Sequence, residues 1–124
     1  MAFNIKLPPI YAGAAYTKVF RWFTVGTNGV RTPVDLTGMN GRIQLRETAG
    51  EVPVYADWST ANGKLVFDDV NRITIHVPRS ETSTYTFERA RWDFLLWPLA
   101  DIDSAELVMF GGVECPVTVT DLTP

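Results

Sequence analysis

Several separate stretches of the chain alternate between apolar and polar residues with a period of two, and this confines it to β structure. From Gly41 to Glu47, Ile43 and Leu45 alternate with Arg42, Gln44 and Arg46. From Arg72 to Val77, Ile73, Ile75 and Val77 alternate with Arg72, Thr74 and His76. From Val113 to Thr120, Val113, Cys115, Val117 and Val119 alternate with Glu114, Pro116, Thr118 and Thr120. Successive side chains of a strand point to opposite faces, so each pattern turns one face to a core and one to water; a helix would not segregate these residues. Two further stretches are apolar on both faces. Thr17 to Val25 has Val19, Phe23 and Val25 on one side and Phe20 and Trp22 on the other. Arg91 to Trp97 has Trp92, Phe94 and Leu96 on one side and Leu95 and Trp97 on the other. The second face of such a strand needs a loop, an arm or another chain to cover it.

Weaker strands are expected at Lys64 to Phe67, Glu106 to Phe110 and near Val52 to Trp58. Turn signals separate them: Thr27-Asn28-Gly29, Thr37-Gly38, Ala49-Gly50, Ala61-Asn62-Gly63, Asp68-Asp69 and Gly111-Gly112. Glycine and asparagine tolerate the positive φ that such turns use. About seven or eight short strands at this spacing predict an all-β fold, an antiparallel β-sandwich of immunoglobulin-like or jelly-roll-like kind. A barrel would give the same alternation. One helical turn is expected, at Ser80 to Thr84, because the threonines and Tyr85 around it are poor helix formers.

Residues 1–16 stand apart as an extended N-terminal arm before a domain at 17–124. Phe3, Ile5, Leu7, Ile10 and Tyr11 flank Pro8-Pro9, which stiffens the chain and removes two backbone donors. An apolar arm of this kind either joins its own sheet edge or docks on a neighbour. These five residues, with Trp22 and Trp97, are the candidate interface residues. For the two tryptophans, a role at an interface or against the arm stands beside a place in the core. Trp92 shares its face with Phe94 and Leu96 and is expected in the core, and Trp58 fits either setting.

Hydrophobic residues make up 46% of the 124 residues and charged ones 20%, enough apolar material for a core and too little chain for two ordinary domains. The net charge of -3 comes from 11 basic and 14 acidic residues without a basic run, so the footprint of a nucleic-acid binder is missing. The first residues lack the continuous apolar stretch of a signal peptide, and Phe94 to Ala100 is too short to span a membrane, so a soluble chain is expected. The lone Cys115 cannot close an intrachain disulfide.

Residues able to do chemistry are few. His76 is the only histidine and falls on the polar side of its strand, while Cys115 falls on the apolar side of its own, so a Cys-His pair is not expected. Asp57, Asp68-Asp69 and Asp101-Asp103 read as turn formers rather than glycosidase carboxylates. Asp101-Ile102-Asp103 lacks the glycine and distal glutamate of a calcium loop. Gly111-Gly112 opens no helix and no lysine follows, so it reads as a turn or bulge before the last strand, not a phosphate loop. The expectation is a non-enzymatic protein with no catalytic residue, no metal and no cofactor.

The order of motifs resembles a group of small tailed-bacteriophage and prophage virion proteins. It runs through Pro33-Val34-Asp35-Leu36-Thr37-Gly38, Gly41 to Arg46, Ser59 to Leu65, Ile73 to Pro78, Glu81-Thr82, Arg91-Trp92-Asp93-Phe94, Gly111-Gly112-Val113 and Val117 to Thr120. The shared signatures are the DLTG turn, the NG hairpin, the aromatic-Asp strand and the late G-x-V strand, over Thr17 to Thr120. The resemblance implies a structural virion component, a tail or head-tail adaptor or fibre-attachment protein, assembled in the host cytoplasm. Asp35 closing a turn and Gly38 supplying positive φ are the structural residues it implies. The partners expected are other virion proteins and further copies of the chain, with no nucleic acid and no membrane. Capsid decoration is the alternative place in the particle. Tryptophans near turns keep a carbohydrate-binding module for host surfaces as another reading, because aromatics stack on sugars.

Overall fold

The computed structural model describes residues 2–47 and 53–116. The Ala49-Gly50 turn, the start of the strand expected from Val52, and the Val117 to Thr120 part of the last expected strand lie outside the described residues.

The fold is all-β. The strands are β1 (Phe3–Asn4), β2 (Tyr16–Arg21), β3 (Phe23–Val25), β4 (Arg31–Pro33), β5 (Met39–Arg46), β6 (Val54–Ser59), β7 (Leu65–Asp68), β8 (Arg72–Val77), β9 (Arg89–Pro98) and β10 (Glu106–Glu114). One helical turn, α1 (Arg79–Thr82), follows β8, and a 3-10 turn at Ile102–Ser104 lies between β9 and β10. A large sheet has the order β1-β10-β9-β5-β6, a small sheet the order β2-β8-β7, and β3 and β4 pair by themselves. All pairings are antiparallel except β1 on β10, which is parallel, a departure from the purely antiparallel expectation.

Alternation explains the core. Ile43 and Leu45 of β5, Trp58 of β6 and Trp92 and Phe94 of β9 turn inward from the large sheet. Ile73, Ile75 and Val77 of β8 and Leu65 of β7 meet them from the small one. Each such side chain contributes about 1.5–3 kcal/mol by leaving water. Gly41 sits where Phe67 and Phe94 converge: a Cβ there would come within 2.7 Å of Phe67 and 2.6 Å of Phe94, so only glycine fits without repacking.

The expected single strand from Thr17 to Val25 is broken in two. At Trp22 the chain leaves the small sheet: the Trp22 N–H donates to Asn71 O at 3.1 Å, and its carbonyl accepts from Val34 N at 3.1 Å and from Asn71 Nδ2 at 2.9 Å. Beyond it, β3 and β4 form a separate hairpin turned by Gly29. The second face of this stretch is open rather than covered, with Val19 47% and Val25 66% exposed. Gly111-Gly112, expected as a turn or bulge before the last strand, lies inside β10, whose register irregularity falls between Leu107 and Met109. The helical turn begins at Arg79, directly behind Pro78, one residue before the expected start.

The arm closes one edge of the large sheet. Ile5 N donates to Phe110 O at 2.8 Å, Leu7 N to Gly112 O at 3.0 Å and Ile10 N to Glu114 O at 2.8 Å. Trp92 Nε1 donates to Ile5 O at 3.0 Å, and Tyr16 Oη to Pro8 O at 2.8 Å. The close approach depends on Gly111, where a Cβ would stand 1.9 Å from Ile5 O. Of the two destinations open to the arm the structure has it on its own sheet: Leu7 and Ile10, candidate interface residues, are fully buried in the core of their own chain, because these bonds carry them inward over β10.

Candidate interaction surface

The remaining candidate interface residues do not form one patch. Phe3 and Ile5 line an open apolar groove with Trp22, Phe20, Phe23 and Met109, between the arm and the small sheet. Phe3 is exposed, Ile5 and Trp22 are half-buried, and Arg31 stacks its guanidinium 3.9 Å from the Phe23 ring centre at the groove's rim. Tyr11 is exposed in the loop that follows the arm, where Ala14 N donates to Tyr11 O at 3.0 Å. Trp97 lies elsewhere, half-buried on the outer face of the large sheet. In the turn before β5, Asp35 Oδ1 accepts from Thr37 N at 2.9 Å and Gly38 has φ of +77°. Hydrogen bonding from the Thr37 side chain, and then from its backbone, holds the exposed Asp35 carboxyl below its ordinary value.

The outer face of the large sheet is a second such surface. The pairing of β9 with β10 sets Phe110 beside Asp93 and Leu107 beside Leu95, and Trp97 lies two residues farther along β9. Leu95 and Leu107 are 38% and 44% exposed. A pocket of about 180 Å³ opens here, walled by Leu107 and Phe110 and rimmed by Gln44, Arg46, Arg91 and Asp93. Arg46 and Arg91 sit directly opposite each other on β5 and β9. Arg46 Nη2 donates to Gln44 Oε1 at 2.8 Å. Burial pushes the Asp93 carboxyl up from its ordinary value, and the Arg46 charge offsets only part of this.

Beyond Pro98 the chain bulges into the exposed run Leu99 to Glu106. Leu99 and Ile102 are 64% and 66% exposed, and Asp101, Asp103 and Glu106 stand among them. Ser104 Oγ donates to Asp101 Oδ2 at 2.5 Å, and among the described residues no cation is paired with the acids of the run.

Polar side chains elsewhere are occupied with one another. Trp58 Nε1 donates to Tyr85 Oη at 3.0 Å and to Glu81 Oε2 at 3.2 Å, and Lys64 and Tyr85 both donate to the Glu81 carboxylate. Burial would raise the Glu81 pKa, but these donors outweigh it and hold it below its ordinary value. Burial raises the Tyr85 hydroxyl, with Glu81 adding to the shift. Arg42 forms a two-point pair with Asp57 and lowers the Asp57 carboxyl. His76 Nδ1 lies 2.9 Å from Thr17 Oγ1 at an exposed site. Cys115 is buried, and burial pushes its thiol up against one backbone hydrogen bond from Ala12. Among the described residues no three of His, Cys, Asp and Glu converge as metal ligands, and no helix is long and apolar enough to cross a membrane.

Alternation along β9 places Leu95 and Trp97 on this outer face. The pocket and the acidic run needed the strand pairing, because Leu107 reaches Leu95 only through the irregular register of β10. No family model matches the chain, and no curated protein matches it.

Proposed function

We propose that the chain is a non-enzymatic structural subunit of a tailed-bacteriophage virion, a tail or head-tail adaptor or fibre-attachment protein that works as one copy among many. The observation that supports assembly is the outer face of the large sheet. Leu95, Leu107, Phe110 and Trp97 stand together there, partly exposed, beside the Arg46 and Arg91 pair. Contiguous apolar surface rimmed by polar residues marks protein contact sites. The phage setting rests on the order of sequence motifs, with the Asp35 to Gly38 turn and the Trp92-Asp93-Phe94 strand as its most recognisable parts.

Two measurements test the reading. Sedimentation velocity of the full chain over a range of concentrations should show association. Gradient-purified particles from a host carrying the gene should contain the chain in a fixed multiple per particle. A chain that stays monomeric and never copurifies with particles would overturn the proposal.

A further inference from the structure

We infer that copies of the chain associate head to tail, with the acidic run Leu99–Glu106 of one copy seated in the arginine-rimmed pocket on the outer face of the next. The inference rests on the assembly reading above and deepens it by naming the two surfaces.

The two surfaces are complementary. The run presents Leu99 and Ile102, both largely exposed, with Asp101, Asp103 and Glu106 around them and, among the described residues, no cation paired to those acids. The pocket offers the converse: apolar walls from Leu107 and Phe110, with Arg46 and Arg91 at its rim. The Arg91 side chain is exposed and makes no hydrogen bond or ion pair with the described residues. Asp93 also lines the pocket, and the Arg91 side chain is the cation the rim leaves for an acidic visitor. A volume of about 180 Å³ suits one aliphatic side chain such as Ile102.

The run cannot fill the Arg91 end of its own pocket. Its nearest residue, Glu106, stands opposite Leu96, which lies five residues from Arg91 on one strand, roughly 17 Å at about 3.3 Å per residue. Two different surfaces meeting without reciprocation make a heterologous contact. Such a contact repeats and leads to a ring if the rotation closes, or to a filament if it does not.

The test uses the full chain in two charge-reversed forms, Arg91→Glu in the pocket and Asp101→Lys with Asp103→Lys in the run. All three positions are exposed, and circular dichroism with a thermal melt checks that each variant folds. The wild type should associate with rising concentration, less so in high salt. Each variant alone should associate at least ~10-fold more weakly, because like charges then face each other. An equimolar mixture should recover most of the association, since the unaltered run of one variant meets the unaltered pocket of the other. Arg79→Glu, on the exposed turn after β8, should behave like wild type. Association of both variants at wild-type strength would overturn the run-to-pocket contact while leaving assembly itself intact. A wild type that stays monomeric would overturn both the contact and self-association, and copurification with particles would then decide the virion reading separately.

Discussion

The two edges of the large sheet are closed by different means. On the β10 edge a backbone lies along a backbone: the arm pairs as β1 and then bonds β10 through Ile5, Leu7 and Ile10, inserts Leu7 and Ile10 into the core, and relies on the missing side chain of Gly111. On the β6 edge a side chain takes the place of a strand. Asn62 Oδ1 accepts from Ser59 N at 3.0 Å while its Nδ2 donates to Asp57 O at 2.8 Å, so its amide occupies groups that a neighbouring peptide would use. Farther back along β6, Tyr55 stacks on Phe87 with ring centres 4.8 Å apart. Open edges invite uncontrolled strand addition. With both edges occupied, the association proposed above would fall to the faces, where the chain places its exposed apolar and charged groups.

The largest expected effect comes from prising the backbone-closed edge apart. Gly111→Val drives a side chain into the Ile5 carbonyl and should release the arm, with a loss of about 3–6 kcal/mol from uncovering Leu7 and Ile10. Denaturant unfolding measures the loss, and hydrogen exchange at Leu7 and Ile10 should rise well ahead of the core. The opposite edge is anchored from within by Trp58 and its partner Glu81, so Glu81→Gln comes next, at about 1–2 kcal/mol near neutral pH. Its pH dependence has a definite sign. The folded state holds the Glu81 carboxyl below its ordinary value, so the wild-type advantage is present above the ordinary carboxylate range and is lost as pH falls through it.

Asn62→Ala should cost about 1 kcal/mol, and its more telling consequence is a bared edge: light scattering on heating should rise with protein concentration. Asn62→Asp, which keeps the acceptor and loses the donor, should fall between the two. The smallest effect belongs to the face between the edges. Asp93→Asn should stabilise the chain slightly at neutral pH, by less than about 1 kcal/mol, since burial raises this carboxyl and the half-buried site is partly screened. That gain should fade as the pH falls through the carboxylate range, where Asp93 becomes protonated and resembles asparagine. Thermal melts across pH separate Glu81 from Asp93, because the two trends run in opposite directions.

Period-two alternation made the core legible: Ile43, Leu45, Ile73, Ile75, Val77, Trp92 and Phe94 are all found inside. It fails at Trp22, where the pattern runs on unbroken but the backbone changes partner to Asn71 and Val34. Local periodicity carries no record of which strand lies alongside. The same gap hid the arm's destination. Leu7 and Ile10 read as sticky because nothing nearby in sequence covers them, and the residues that do cover them lie at the far end of the chain. Gly111 shows the matter most directly: a glycine pair resembles a turn until Ile5 is placed against it. The outer-face pocket was equally out of reach, since its walls come from strands joined only by register.

The seat of the arm also dictates an order of events during synthesis. Lys6 and Glu114, which pair at 3.1 Å, are 108 positions apart, so the arm leaves the ribosome long before the strand that receives it exists. At roughly 5–20 residues per second that interval lasts roughly 5–20 s. Throughout it, Leu7 and Ile10 have no place of their own to go. The arm can take its seat only once β10 has emerged, so the contact of Lys6 with Glu114 has to close late.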